Sequence, residues 1–454
     1  MKKALSIIMC ALMLVGVCFT GAGAADASED YTIVSPYEEV VWNGDGAWGA
    51  YRGNLHSHTT YSDAEIDLAT MVKQYYELGY DFLANSDHAV TGVEWNKAPA
   101  RVPIFFYQKL LGNKTAHLTD EEYEAITTGI YNDRGRKMVC VTGANELNNL
   151  TLSKNHVNGY FLPSNVGNDY TGFENEFGYE RAIKFVDDHG GLSHINHPGD
   201  WINSNSNPQA VNDPENIELF GDIILTYDSC LGIEVLNEHN GTTGYDRILW
   251  DNLLMYCLPY GKTVIGFSNT DAHYIIDTDS SFSVFMMEDN NVDNIKKTMQ
   301  NGAFFAVTKV LRGNDIFEIG PEEGFDLREQ NVPYPMFTEL SVDGHKLTAT
   351  ATEANQLQWI ANGKVIMKRS VTEGETVVLD LDEIEGSEDF LYVRAELLGD
   401  GGLCASQALI IDRGEEPLTF TPKEVSVFRK LINFLNGTKI VQLVREIVFK
   451  IKGI

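Results

Sequence analysis

GGLSHINHP at residues 190–198, CLGIEVLNEHN at 230–240 and KTVIGFSNTDAH at 262–273 share one pattern: an apolar run of strand length that gives way to His, Asp, Asn or Glu. YDFLANSDH (80–88), MVCVTGANE (138–146), HVNGYFL (156–162) and GAFFAV (302–307) extend the series outward in both directions. Between these runs, residues 64–79, 178–189, 245–256 and 291–301 carry apolar positions three and four apart, which predicts helices. Strands alternating with helices from about Gly53 to Val307 predict βαβ units and a parallel sheet, either a barrel or an open α/β sheet. Residues 90–137 and the polar stretch 199–216 interrupt the rhythm, and each reads as a lid or a solvated insertion.

The flanks have a different character. After residues 314–335 the chain turns to short alternating strands with hairpin signals at Asp343-Gly344 and Asn362-Gly363, predicting a β-sandwich of roughly seven strands over 335–412. Residues 417–454 read as a helical tail in which Pro422 starts a helix and Asn436-Gly437 breaks it. From Lys423 onward the tail has seven Lys or Arg against two Glu, with an apolar face through Phe428, Leu431, Leu435, Val444 and Ile447, so peripheral contact with an anionic membrane is one expectation and packing on its own acidic body the other. At the other end Lys2 and Lys3 precede an apolar run and the triplet Ala22-Gly23-Ala24, the form of an export signal covering 1–24. The protein is therefore expected outside the cytoplasm: extracellular, at the cell surface or periplasmic.

The 454 residues, 43% hydrophobic and 22% charged, suit a globular protein of two or three domains. A formal charge of -31 excludes broad attraction of nucleic acid, whose phosphates need Lys and Arg. Any phosphorylated substrate is therefore small and met by metal. Cys140, Cys230, Cys257 and Cys404 are widely spaced, without a CxxC pair, and suggest neither a zinc ribbon nor a disulfide framework.

Most of the eleven His sit where a predicted strand ends or begins: His56, His58, His88, His156, His197 and His273. Strand ends of a parallel β/α barrel converge on one face, so residues distant in sequence become neighbours there. The alternation in His56-Ser57-His58 puts both imidazoles on one side of an extended chain, and Asp271 and His273 share that parity. Imidazole together with carboxylate suits zinc, manganese or iron better than calcium or magnesium.

NLHSHTTYSDA (54–64) resembles the opening motif of the polymerase and histidinol phosphatase (PHP) metallohydrolases, usually HxHTxxSDG. NSDH, GANE with NHVNGYF ten residues on, GGLSHINHP and SNTDAH resemble the later motifs in order, over about residues 50–310. The resemblance, closest in type to the exported CehA/McbA-like metallohydrolases, implies a distorted (β/α)7 barrel holding two or three divalent ions (Mn, Zn or Fe). It implies His56, His58, Glu146 and Asp271 around one ion and Glu146 bridging to a second ion at His156 and His197. Asp63, His88 and His273 complete a third site, and Glu146, Asp271 and His197 stand closest to the chemistry. The implied activity is cleavage of a small phosphomonoester or phosphodiester by metal-activated hydroxide. A carboxylester or carbamate hydrolase, or a metal-binding surface module without catalysis, are the alternatives. Asn269-Thr270 in place of Gly-Ser and Ala64 in place of Gly depart from the pattern without removing a ligand.

Beside these, Asp87 and Asn196 read as orienters of neighbouring ligands or as structural residues. His194, three before His197, faces away and reads as core. Glu234, Asn237 and His239 read equally well as substrate contacts or as exposed residues, and His117, His189 and His345 as surface.

Overall fold

The computed structural model describes residues 31–102, 115–148, 155–170, 178–238, 244–312, 325–327 and 332–422. Up to residue 308 the strands are β1 (Thr32–Val34), β2 (Gly49–Asn54), β3 (Phe82–Ala84), β4 (Val139–Val141), β5 (Asn145–Leu147), β6 (Val157–Tyr160), β7 (Leu192–Ile195), β8 (Cys230–Asn237), β9 (Ile265–Asn269), β10 (Ser281–Met287) and β11 (Phe304–Thr308). The expected helices form as Leu68–Glu77, Gly178–Asp188, Asp246–Cys257 and Val292–Asn301. Local chemistry sets their ends: the Asp67 side chain accepts from the Thr70 amide, and the Asn291 side chain from that of Asn294.

The fold is mixed α/β, and its strands form two arcs. β2, β3 and β4 run parallel. The second arc has the order β5-β6-β7-β8-β9, with β7, β8 and β9 parallel. At the strand ends, parallel bridges Ser57↔Ala272 and His88↔Glu146 join one arc to the other. The strands are not all parallel, as a regular β/α order would require. β6 runs antiparallel to both β5 and β7, even though the helix Gly178–Asp188 lies between β6 and β7. His156 therefore stands at the start of its strand and still lies at the end of the fold where the other strands finish.

Three further differences from the sequence reading have physical causes. β10 is buried along its whole length, so no alternation marks it, and it inserts antiparallel between β2 and β11. Residues 120–128 form a helix with a Thr119/Glu122 capping box inside the first interruption. The second interruption holds the short helix Pro198–Trp201, a 3-10 turn at Pro208–Asn212 and the start of the helix Pro214–Thr226, each with proline in its first turn.

The C-terminal strands pack as two sheets, and both predicted hairpins are present, with Asn362 and Gly363 at φ 45° and 71° as a type I′ turn requires. One sheet is Met336–Asp343, Lys346–Thr352 and Thr376–Asp380. The other continues the first arc: Gly402–Ala405 pairs with β11, and β1 pairs with Leu409–Asp412. One apolar cluster accordingly joins Val284, Phe305 and Val307 to Leu340, Trp359 and Leu397. The export signal and the tail beyond residue 422 lie outside the described residues. Among the described residues no helix is long and apolar enough to cross a membrane, and Cys140, Cys230, Cys257 and Cys404 are free thiols.

Buried charge fastens the C-terminal sheets to the α/β part. Arg394, fully buried, gives two guanidinium nitrogens to Asp251 at 2.8 Å each and a third to Glu396 at 2.6 Å, and Arg247 binds Glu396 at 2.7 Å. Removing one member strands the others, which typically costs about 3–5 kcal/mol. Arg394→Ala should lose that much in denaturant unfolding, and a loss below about 1 kcal/mol would show that the network does not carry the junction.

Candidate metal centre

All nine residues that the sequence singles out as ligands come together at the bridged strand ends. Their donor atoms fall into overlapping groups within 4.8 Å: His58, Asp63, His88 and His273; His56, His197 and Asp271; His56, His58 and Glu146; and His88, Glu146 and His156. The grouping differs from the implied partition in three respects: His58 joins Asp63, His88 and His273, His197 joins His56 and Asp271, and His88 also joins Glu146 and His156. Glu238, which sequence reasoning passed over, groups with Asp271 and His273.

Glu146 lies at the middle. Its Oε1 is 2.9 Å from His156 Nδ1, 3.4 Å from His56 Nε2 and 3.5 Å from His197 Nε2. Its Oε2 is 2.8 Å from His88 Nδ1 and 3.2 Å from His58 Nε2. Asp271 Oδ1 lies 3.1 Å from His56 Nε2 and 3.0 Å from His58 Nε2. Asp63 spans His88 and His273 at 3.3 and 3.4 Å. Burial alone would raise the Glu146 and Asp271 carboxyls, but the imidazoles beside them, His156 and His88 for the first and His56 and His58 for the second, hold both well below the ordinary range.

The imidazoles are aimed from behind. His56 Nδ1 contacts Glu234 Oε1 at 2.8 Å, and that carboxylate also accepts from Asn269 Nδ2 at 2.9 Å, Asn237 Nδ2 at 2.8 Å and the His197 amide at 3.1 Å. Ser62 donates to Asp87 at 2.6 Å, which leaves its lone pair for His58 Nδ1 at 3.2 Å. His273 Nδ1 donates to its neighbour's carbonyl, Asp271 O, at 2.9 Å. Each contact turns Nε2 of that ring toward the cluster. Asn196 donates to Glu146 Oε1 at 2.7 Å. Asp87 and Asn196 thus both touch the ligand system, Asp87 through Ser62 and not through the adjacent His88.

Glu234 is the residue that the sequence undersold: it is fully buried, not exposed. Its parity along β8, opposite to Ile233 and Val235, was the available signal, but the sequence left a contact at the site and exposure equally open. His194 packs on Phe267 with centroids 4.5 Å apart and bonds Tyr160 at 2.8 Å, and burial drives it down to about 4. The remaining described His have local partners away from the cluster: His117 with the Tyr61 hydroxyl, His189 with Phe185 O and His345 with Asp382 and Tyr31 O. His239 lies outside the described residues.

The backbone is strained around the cluster. Ala89, Asn155, His197, Glu238 and Asp271 all have positive φ, between 27° and 63°, which costs about 1–3 kcal/mol for a residue with a side chain. Buried His156 Nε2 has no hydrogen-bond partner, and Glu146 Oε2 and Asp271 Oδ1 lie against imidazole nitrogens without hydrogen bonds of regular geometry. Converging imidazole nitrogens, once their protons are displaced, and carboxylate oxygens form a donor set that fits divalent transition metals.

The fold and site define a mixed α/β protein with a buried centre able to hold divalent metal. No family model matches the chain, and no curated protein matches it. Solved structures similar to it include a two-domain protein from Bacteroides vulgatus containing a predicted PHP-like metal-dependent phosphoesterase (15% identity, 82% of this chain and 98% of that one, TM-score 0.40). Others are a protein from Bifidobacterium adolescentis described as a metal-dependent phosphoesterase (14%, 50% and 89%, 0.28) and the lesion-specific endonuclease PfuEndoQ from Pyrococcus furiosus (12%, 56% and 56%, 0.30). Likenesses this distant carry no argument, and the functional reading rests on the side chains.

With no cation bound, protons on the imidazoles balance the carboxylates. Burial lowers His197 and His273, but Glu146 and Asp271 around the first, and Asp63 and Asp271 around the second, raise them to about 9 and about 10. A raised imidazole contributes stability in full below its unfolded value of about 6.5 and loses it as pH climbs through the folded value. Thermal scans in chelator should therefore show the melting temperature falling from pH 7 to 10, while affinity for manganese or zinc rises over the same window as protons are displaced. A flat chelated profile would contradict this balance. Separately, Glu234→Gln removes the charge behind His56, and metal titration should show affinity weakened about 10- to 100-fold; unchanged affinity would make Glu234 a packing residue only.

Proposed function

We propose that the chain is a metal-dependent phosphoester hydrolase of the PHP type, in which the two bridged arcs form a distorted (β/α)7 barrel around two or three divalent ions. The observation that carries this reading is the Glu146 carboxylate, buried and within 3.5 Å of five imidazole nitrogens. A carboxylate with two oxygens facing two sets of nitrogens is the arrangement for bridging a pair of cations. His56, His197 and Asp271 would hold one ion and His88 and His156 a second, with Glu146 shared between the two. His58, Asp63 and His273 would hold a third. Glu146, Asp271 and His197 are the residues nearest the reacting atoms in this reading.

Divalent ions held there would supply an acidified water at neutral pH and neutralise phosphoryl charge. The chain's own contribution is position and exclusion of bulk water. Glu234, Ser62 and Asp271 O fix three rings, Asn196 fixes the bridging carboxylate, and the near-complete burial of His56, His58 and Glu146 keeps competing water away. In a protein of charge -31, cations at the centre are what would draw an anionic substrate in. Export, and membrane contact by the basic tail, belong to the same proposal and rest on the sequence.

Glu146→Gln keeps size and offers a neutral amide that bridges poorly. Against an exposed control, Glu385→Gln, it should lose metal and at least about 100-fold in turnover on panels of phosphomonoesters, phosphodiesters and carboxylesters. Equal metal loading and turnover in wild type and Glu146→Gln would refute the bridge, and turnover confined to the carboxylesters would refute the phosphoester assignment.

A further inference from the structure

Among the described residues, the ligands are buried on most sides and exposed along one edge. Side-chain exposure is 0% at His56 and His58 and 1% at Glu146, rises to 24% at His273 and 21% at Glu238, and reaches 42% at Asp63. Solvent, and hence substrate, reaches the ligands past Asp63, His273 and Glu238. The next residues along the chain from His273 are Tyr274, Ile275 and Ile276, exposed to 50, 41 and 63%. Among the described residues no other consecutive run of large apolar side chains is so exposed. Scattered single apolar residues on a surface need no explanation, but a contiguous group beside a site entrance does.

The segment is held in this position. Asp277 Oδ2 accepts from the His273 amide at 3.1 Å and the Tyr274 amide at 2.8 Å, and the Asp277 amide donates back to Tyr274 O at 3.0 Å. Thr278 Oγ1 donates to Ile275 O at 2.7 Å, and Tyr80 donates to Thr278 O at 2.9 Å. Buried Asp279, which follows, is paired with Lys309 and Arg52. The same carboxylate, Asp277, thus anchors a proposed ligand and the apolar run, so the two keep a constant relation. Tyrosine adds a stiff face with a polar tip, suited to an edge that is half wet.

We propose that the substrate of this centre is a small phosphoester bearing an apolar alkyl or aryl group, received by Tyr274, Ile275 and Ile276 while its phosphoryl group lies among the ligands. This rests on the phosphoester reading above and narrows it. A purely polar ester, such as a sugar phosphate, leaves the apolar run in water and gains nothing from it.

The test is binding of methyl-, butyl- and hexylphosphonate to the metal-loaded full chain by calorimetry, in wild type and in the double variant Tyr274→Ser/Ile276→Ser, with metal content checked in both. Five added methylenes half removed from water should tighten binding about 30-fold from methyl to hexyl in wild type. In the double variant the gain should fall to about 3-fold or less, with methylphosphonate affinity and metal content unchanged. Length-independent binding in wild type, or the same gain in the variant, would overturn the apolar edge while leaving the phosphoester reading in place. If no phosphonate binds a protein shown to carry its metal, the phosphoester reading itself fails and this proposal falls with it.

Discussion

A buried carboxylate surrounded by five imidazoles is the constraint from which the rest of the molecule follows. Glu146 also closes the fold. Its amide donates to Ser86 O at 3.0 Å and its carbonyl accepts from the Ala89 amide at 3.1 Å, which makes one of the two bridges between the arcs. The residue that centres the ligands is therefore the one whose backbone ties β3 to β5, and the site cannot loosen without opening the sheet arrangement. Burial of this carboxylate is tolerable only with positive charge around it, supplied by protonated imidazoles or by cations. The same pocket is thus poised to exchange protons for metal.

Around that centre lies a layer of residues whose task is direction. Glu234, fully buried, touches His56, the His197 amide, Asn237 and Asn269, so one carboxylate coordinates three strand ends. Ser62 with Asp87, and Asn196 with Asn158, do the same for His58 and Glu146. The positive φ values at His197 and Asp271 place the local backbone in a conformation that folding would not choose unaided. Such strain is tolerated when the surrounding hydrogen bonds over-determine the geometry, as they do here.

The C-terminal sheets form part of the scaffold and are not a loose appendage. One of them shares a sheet with β10 and β11, and its Arg394 lies fully buried against Asp251 of the α/β helix Asp246–Cys257. β10 is in turn the neighbour of β2, the strand that leads into His56 and His58. Rigidity at the ligands is thereby continuous with packing some distance away, and the open edge at Asp63, His273 and Glu238 is the part of the centre left to solvent.

How much of this was legible in the sequence follows from what each signal depends on. Apolar runs ending in His, Asp and Glu reflect local patterning, so the strands that carry His56, His88, Glu146, His197 and Asp271, and the gathering of ligands at one end, could be read from composition and spacing. The hairpins at Asp343-Gly344 and Asn362-Gly363 were equally local, because their backbone conformation is a property of the residues themselves. The antiparallel course of β6, the insertion of β10 and the union of the C-terminal sheet with β11 were not legible, since strand partners are chosen by non-local hydrogen bonds that leave no periodicity behind. Glu234 stayed undecided for the same reason: near a strand end it fits a site contact and exposure equally well until the fold sets His56, Asn269 and the His197 amide against it. Sequence alone brought out nine side chains able to bind a cation; tertiary structure added Glu238 and decided which of them lie within reach of a common ion, because only three-dimensional closure sets distances between residues that are far apart along the chain.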